Sequence, residues 1–343
     1  MKRKFLAFLS VLLTLFVFTS CTFDPADGSK EMLVHFIDVG QGDCVLLESG
    51  DDFVLIDAGE VEYGDSVCDY LLSRRVKQLD YVIATHPHSD HCGGLTKVIE
   101  NFETKNFITK ETDQQTKSWL DVLGAVDKYD ANYIDATVDS TYTFGNASFE
   151  ILGPVSDYED YNNSSVIVKA TCNDTSFLFT GDVEKSAEND MLRNEIIVES
   201  DVLKVSHHGS STSSSSEFLS AVDPSYAVIM CGENNEYGHP HKEVVTELDN
   251  RGITTYRTDT CGTIVASVDN GELSFMSFSD NLPADKNDKS YEFKYYIGNK
   301  NSKKFHLDSC SGAKNTKQKN KVYFFSKTEA LLRGYNECDS CNP

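Results

Sequence analysis

From Met32 to about Phe278 the chain repeats one pattern, in which short apolar runs are closed by turns or by longer amphipathic stretches. Runs at 33–38, 44–48, 53–56, 81–84, 166–170, 177–180, 202–205 and 227–230 are rich in Val, Ile, Leu and Phe, and their length predicts strands. Asn173-Asp174 and Asn270-Gly271 predict tight hairpins, because these residue types accept the left-handed backbone of a two-residue turn. Apolar positions at helical spacing predict helices over 94–101, 117–123, 185–192 and 243–250. Strands mixed with helices predict a layered α/β domain over 32–278, and the hairpins argue against a purely parallel sheet. Residues 279–290 are polar and read as a linker to a module at 291–343.

Residues 1–21 break this pattern. Lys2, Arg3 and Lys4 precede the apolar run 5–18, which ends in Thr19-Ser20-Cys21, the layout of an export signal. Cys21 after two small residues resembles a bacterial lipobox, which implies lipidation of Cys21, although Phe18 stands where Leu is usual. A plain secretory signal and an uncleaved anchor are the alternatives. Each places residues 22 onward outside the cytoplasmic membrane, and a diacyl anchor would hold the protein durably at its outer face.

Charge divides the chain in two. Its 343 residues carry 31 Lys+Arg against 54 Asp+Glu, a net of −23, which disfavours non-specific attachment to nucleic acid or to an anionic membrane. Residues 286–343, however, hold 12 Lys+Arg and only 6 Asp+Glu, so the end of the chain is a basic module on an acidic protein. Of the ten Cys, six (Cys44, Cys68, Cys92, Cys172, Cys231, Cys261) stand singly, several in apolar runs, where a free thiol packs as a small hydrophobe. Few or no structural disulfides are expected.

The densest chemical signal follows the run 81–84. His86-Pro-His88-Ser-Asp90-His91 puts three imidazoles and a carboxylate in one loop at a strand end, a donor set that suits divalent metal ions. Three other runs end in polar residues: Asp57-Ala-Gly59, Gly181-Asp182 and Ser206-His207-His208-Gly209.

In that order these residues resemble the metallo-β-lactamase superfamily, and the resemblance implies a four-layer αββα fold with a dinuclear metal site. More narrowly, His35-Phe-Ile-Asp38-Val-Gly40-Gln41-Gly42-Asp43, Leu203-Lys-Val-Ser-His207-His208-Gly209-Ser210 and Tyr237-Gly238-His239-Pro240 are similar to the extracellular hydrolase-like domain of ComEC competence proteins. The resemblance implies His86 and His88 on one metal, Asp90 and His91 on the other, and Asp182 bridging. His208 would complete the second site, with His207 as proton donor or charge stabiliser, although adjacent residues of a turn are not separable by sequence. Asp57, with Asp43, would orient metal-bound imidazoles from behind. No His lies between His91 and His207, and Asn162-Asn163-Ser164 stands where many members have a further ligand, so the first metal would be held by three protein ligands. The expected cofactors are two divalent ions, Zn or Mn. His239 and His241 are candidates for phosphate contact or leaving-group protonation, and Asn163 and Ser210, the latter in the hydroxyl-rich run 206–216, for substrate binding.

In the last module His306-x3-Cys310 is followed, after 27 further residues, by Cys338-Asp-Ser-Cys341, the paired spacing of a structural zinc site. A disulfide from Cys310 to Cys338 or Cys341 is the alternative. The segment resembles the zinc-binding domain of the Ada DNA-repair protein, with His306 where that family has its first Cys. The methyl-acceptor chemistry of that Cys would be lost, one structural Zn kept, and a DNA-docking role implied.

The reading that follows is an exported, membrane-anchored, metal-dependent phosphodiesterase acting on extracellular DNA, alongside separate DNA-uptake machinery, since the sequence has no transmembrane bundle to form a channel. A phosphodiesterase of another surface diester, such as phosphorylcholine on wall polymers, is the first alternative. A non-catalytic binding lipoprotein is the second, and the full ligand set argues against it.

Overall fold

Every residue of the strand Met32–Phe36 is buried, so both of its faces are covered. Met32, Val34 and Phe36 point into a central core with Phe177, Phe179, Val202 and Tyr226, which belong to a different sheet. In the neighbouring strands Val45, Leu47, Val54 and Ile56 join that core, whereas Leu46 and Leu55 face the opposite way onto helices. Strands covered on both faces read as continuous apolar runs, which is why they were visible in the sequence.

The structure is a computed structural model that describes residues 31–278, 295–324 and 327–343. The export signal with Cys21 and the linker 279–290 lie outside the described residues. The chain divides into compact units at Tyr296/Ile297.

In the larger unit the first sheet has eight strands, in spatial order Glu272–Ser277, Ile264–Asp269, Met32–Phe36, Val45–Ser49, Asp52–Ile56, Gln78–Ile83, Glu103–Thr109 and Asn132–Asp135. The second has seven: Thr254–Arg257, Tyr226–Ile229, Val202–Lys204, Thr175–Phe179, Ile167–Cys172, Ala147–Gly153 and Thr141–Phe144. Helices Gly64–Ser73, Leu95–Asn101 and Lys117–Lys128 bring Val67, Leu71, Leu95, Val98, Trp119 and Val122 onto the outer face of the first sheet. Helices Lys185–Arg193, Ser216–Val222 and Lys242–Asn250 cover the second with Met191, Phe218, Val244 and Leu248. Helix, sheet, sheet and helix make the four layers. Truncating a fully buried ring between the sheets, such as Phe177, would cost about 3–5 kcal/mol.

Both hairpins form, with Asn173 and Asn270 at positive φ. Cys172 lies at one hairpin's edge, and the nine Cys of the described residues are all free thiols.

The smaller unit, Ile297–Pro343, is built on a four-stranded sheet in the order Lys321–Phe324, Tyr296–Asn299, Lys304–Leu307 and Asn336–Glu337. Phe305 and Phe324 are fully buried in it, and among the described residues Ile297 and Tyr335 are the other large buried side chains.

Candidate metal centre

Each sheet of the larger unit changes direction once. Asp52–Ile56 pairs antiparallel with Val45–Ser49 but parallel with Gln78–Ile83. Thr175–Phe179 pairs antiparallel with Ile167–Cys172 but parallel with Val202–Lys204. Chains leaving the carboxyl ends at such switch points diverge and open a crevice. Asp57, the His86–His91 loop, Asp182 and the His207-His208 pair all leave from these four strands.

Register explains who meets whom. Ile56 stands opposite Ile83, so Asp57 emerges beside Thr85 and accepts hydrogen bonds from its backbone N–H at 2.8 Å and its hydroxyl at 2.6 Å. Phe179 stands opposite Lys204, which sets Gly181-Asp182 beside the His207 turn, and His207 N–H donates to the Gly181 carbonyl at 3.1 Å. Asp57, His207 and His208 adopt φ of 58°, 50° and 54°. Left-handed backbone at three non-glycine residues of one crevice is strain held by the surrounding packing, a pattern that gathers at functional sites.

One group of donor atoms surrounds a single point. His91 Nε2 lies 3.3 Å from His208 Nε2 and 3.2 Å from Asp182 Oδ2. His208 Nε2 lies 3.4 Å from Asp182 Oδ2 and 3.3 Å from Asp90 Oδ2. Ligands about 2.1 Å from a tetrahedral ion stand roughly 3.4 Å apart, so the group fits a divalent metal in spacing and in donor type. A second group adjoins it: His86 Nε2 is 3.0 Å from His88 Nδ1 and 4.0 Å from Asp182 Oδ2. The same Asp182 oxygen therefore borders both groups.

The far sides of the His91, His208 and His86 rings are held. His91 Nδ1 lies 2.8 Å from Asp57 Oδ2, and His208 Nδ1 lies 2.9 Å from the Met230 carbonyl. Nδ1 of His86 faces the hydroxyls of Thr85 at 3.1 Å and Ser165 at 3.3 Å. Such partners fix the tautomer that leaves Nε2 free as a ligand. Burial alone would raise the Asp182 carboxyl, but the His208 and His91 charges outweigh it and hold Asp182 well below the usual range. Conversely, burial would lower His208 and His91, and Asp182 with its neighbouring carboxylates keeps both above theirs.

Asp43, His91, Asp182 and His208 offer ligand-type atoms within 4.8 Å of one another. Asp43 nevertheless faces the Nδ1 side, 3.3 Å from His208 Nδ1 and 3.8 Å from His91 Nδ1, whereas Asp182 faces Nε2 of both. Asp43 thus lies on the Nδ1 side of both rings and Asp182 on the side where Nε2 is free. Its partner is Lys204, 1% exposed, which pairs with Asp43, donates to the Gly181 carbonyl at 3.0 Å and lies 3.9 Å from Asp182 Oδ1. The sequence reading passed over Lys204. A lysine inside the apolar run 202–205 was the available signal, since a buried ammonium requires a partner.

The crevice opens as a cleft of ≈ 760 Å³ bordered by His88, Asp90, Asp182, His207, His208 and His239. His239 Nδ1 is buried there without a hydrogen-bond partner among the described residues, and burial beside His208 and His207 pulls its pKa down to about 4. His207 Nε2 is 3.8 Å from Asp182 Oδ2, and its Nδ1 is 3.3 Å from Glu184 Oε1.

Three expected substrate contacts are not among the residues that border the cleft, and their polar atoms have partners within the chain. Asn163 is buried, accepting from Glu184 N and Ala187 N at the start of the helix Lys185–Arg193 and donating to Asp160. Its neighbour Asn162 borders the cleft instead, with Oδ1 unpartnered. Ser210 is buried and shares a hydrogen bond with Thr212, and the hydroxyl run 211–216 lines a different hollow. His241 accepts from Ser211 N at 2.9 Å and is not among the residues bordering the cleft.

In the smaller unit His306, Cys310, Cys338 and Cys341 converge within 4.8 Å, with Cys310 Sγ 3.5 Å from His306 Nδ1. Lys304–Leu307 supplies His306, Cys310 caps the turn Ser311–Lys314, and the last two follow Asn336–Glu337. Backbone N–H groups led by Ser340 bring the Cys338 thiol down to about 7, towards the thiolate that zinc prefers.

Residues 37–233 match the family described as Metallo-beta-lactamase superfamily, and the chain belongs to that superfamily. Residues 284–343 match the metal binding domain of Ada. ComE operon protein 3 of Bacillus subtilis (strain 168) is 30% identical over 255 residues, 69% of this chain and 33% of that protein. Competence protein ComA of Neisseria gonorrhoeae is 29% identical over 68% of this chain and 32% of its own length, and recombination protein 2 of Haemophilus influenzae 29% over 63% and 26%. The chain thus spans about a third of the length of these relatives or less. Among solved structures, the metallo-beta-lactamase fold protein YhfI of Bacillus subtilis aligns at 15% identity and a TM-score of 0.44, over 64% of this chain and 93% of that one.

Proposed function

We propose that this metal-dependent hydrolase cleaves phosphodiester bonds, with extracellular DNA as substrate, and that it works outside the cell on a lipid anchor at Cys21. The observation that carries the chemistry is Asp182 Oδ2, which borders both donor groups. Two divalent ions held by His86, His88 and Asp182 and by Asp90, His91, His208 and Asp182 would supply Lewis acidity and lower the pKa of a water molecule towards neutral. Around them this chain's own residues do the rest. Asp57, Asp43 and the Met230 carbonyl orient the rings. His207 borders the cleft 3.8 Å from Asp182 Oδ2, placed to move a proton at a leaving oxygen, and His239, its ring centre 5.7 Å away, lines the same cleft as a neutral imidazole.

The choice of DNA is supported by relatives named for competence and recombination and by the basic module with its zinc ligand set. The Lys2–Cys21 segment supports export and anchoring, and a role beside a separate DNA-uptake pore fits both. Residues 22–343, reconstituted with manganese or zinc, are expected to cleave single-stranded DNA, and His88→Ala to abolish that cleavage. Equal cleavage by the variant would overturn the reading. Membrane fractionation of wild type and Cys21→Ala tests the anchor.

One observation favours a second substrate class. The residues bordering the cleft include Glu60 and Glu236 but, among the described residues, no Lys or Arg. A small diester with a cationic head, such as phosphorylcholine on a wall polymer, would suit that charge. Turnover of such a diester without cleavage of DNA would move the assignment there.

A further inference from the structure

Tyr237 is 60% exposed, yet its ring is not loose. It lies against His239 with ring centres 5.7 Å apart and planes 23° from parallel. Asn235 closes the segment beneath it: its side-chain oxygen accepts from His239 N at 3.0 Å, and its amide donates to the carbonyls of His239 at 2.6 Å and Gly232 at 2.9 Å. Gly238, at φ 72°, gives the chain the reversal that puts residues 237 and 239 on one side. The phenol is therefore flanked by the imidazole in an offset stack and otherwise largely open, in the cleft that also contains His88, Asp90 and Asp182.

Exposed aromatic rings usually need no explanation. This one lines the same cleft as the metal-site residues His88, Asp90 and Asp182, a cleft that, among the described residues, offers no cation to a phosphate backbone. A nucleic acid entering there must be recognised by something other than its charge. Bases have flat faces, and stacking on an aromatic side chain is indifferent to sequence.

We propose that Tyr237 is a stacking platform for the nucleobase next to the scissile phosphate, and so a specificity-determining residue of this cleft. The proposal rests on the phosphodiesterase reading and adds which part of the substrate is gripped. His239 backs the ring and keeps its open face turned to the cleft. Single-stranded or frayed ends are then preferred to duplex, whose bases are stacked on each other.

The test compares the full chain, loaded with manganese, on a thymidine oligonucleotide and on the same oligonucleotide with abasic sugars. Wild type is expected to show a KM lower for the base-bearing strand by about 5- to 150-fold, the range set by one stacked base. Tyr237→Phe keeps that ratio and Tyr237→Ala brings it close to one. The ratio is internal to each variant, so a general loss of activity does not imitate the effect. Equal KM for the two strands in wild type, or an unchanged ratio in Tyr237→Ala, overturns the platform while leaving the phosphodiesterase reading in place. No cleavage of either strand by wild type removes that reading and the platform with it.

Discussion

Asp57 Oδ2 stands 2.8 Å behind Nδ1 of His91, while Nε2 of the same ring faces Asp182 Oδ2 at 3.2 Å. A carboxylate can only accept at that nitrogen, so the ring keeps its proton on Nδ1 and its lone pair towards the metal position. Asp57→Asn alters this with little change of shape. Asn tolerates the positive φ, and its carbonyl can still accept from Thr85 N, which leaves an amide N–H aimed at Nδ1. The imidazole then carries its proton on Nε2. Metal affinity is expected to fall about 10- to 100-fold, read by competition with a chelator, and unchanged affinity would refute the orienting role.

Lys204 and Asp43 form an ion pair in which neither side chain is more than 5% exposed. Removing Lys204 takes away the ammonium and leaves the buried Asp43 carboxylate to the His208 and His91 rings. Lys204→Met is expected to destabilise the larger unit by about 3–5 kcal/mol in urea unfolding, and Lys204→Met with Asp43→Leu by less than Lys204→Met alone. A single variant as stable as wild type would show that Asp43 finds another partner.

How much of this was legible follows from the kinds of signal involved. Runs such as 177–180 and 202–205 were visible because both faces of their strands are covered. Thr141–Phe144 and Asn132–Asp135 were not, since edge strands alternate or expose most of their residues. Loop ligands clustered in sequence at His86–His91, and Asp57, Asp182 and His208 were reached only through the order of strand ends that resembled a known family. Nothing in Asn162-Asn163 says which side chain meets the start of a helix and which borders the cleft. Lys204 meets Asp43 and Asp182 from distant segments, and although a lysine in an apolar run signals a buried partner, nothing local says which.

Far from the metal centre, Glu48 provides a pH dependence. Burial would raise its pKa, but Arg74, in a two-pronged pair at 3.0–3.1 Å, and His35 outweigh that and hold it below the ordinary 4.5. The unfolded chain then takes up this proton at a higher pH than the folded one. Its stabilisation is complete above about 4.5 and is lost as the pH falls through the depressed folded value. Glu48→Gln should cost stability at pH 7, and the gap to wild type should narrow as unfolding is repeated at lower pH. A gap independent of pH would show that the loss is one of packing.

The zinc set of the smaller unit depends on a glycine. A Cβ on Gly312 would come within 2.4 Å of His306 Cε1 and 2.6 Å of its Nδ1, so the ring has no room for any side chain there. Gly312→Ala is expected to displace His306 and weaken zinc binding without touching a ligand. Zinc release to a colorimetric chelator checks this, with His306→Ala as the limiting case. The unit's small core predicts that zinc removal also unfolds it, since metal binding then supplies much of its folding free energy. Release kinetics equal to wild type would mean that the backbone shifts to admit the methyl group.

His207 and His208 are neighbours in different surroundings. His208 is 1% exposed, turns Nε2 towards Asp182, Asp90 and His91 and ties Nδ1 to Met230. His207 is partly open to the cleft and shares Nδ1 with Glu184 and Thr212. Both occupy left-handed backbone, so Asn is the replacement that isolates the imidazole from the strain of the turn. His208→Asn should lower the number of ions bound per chain from two towards one, counted by elemental analysis after dialysis. His207→Asn should keep both ions and lower kcat by about 10²–10⁴-fold, the size of a lost proton-transfer group. Loss of an ion in His207→Asn, with two retained in His208→Asn, would exchange the two assignments.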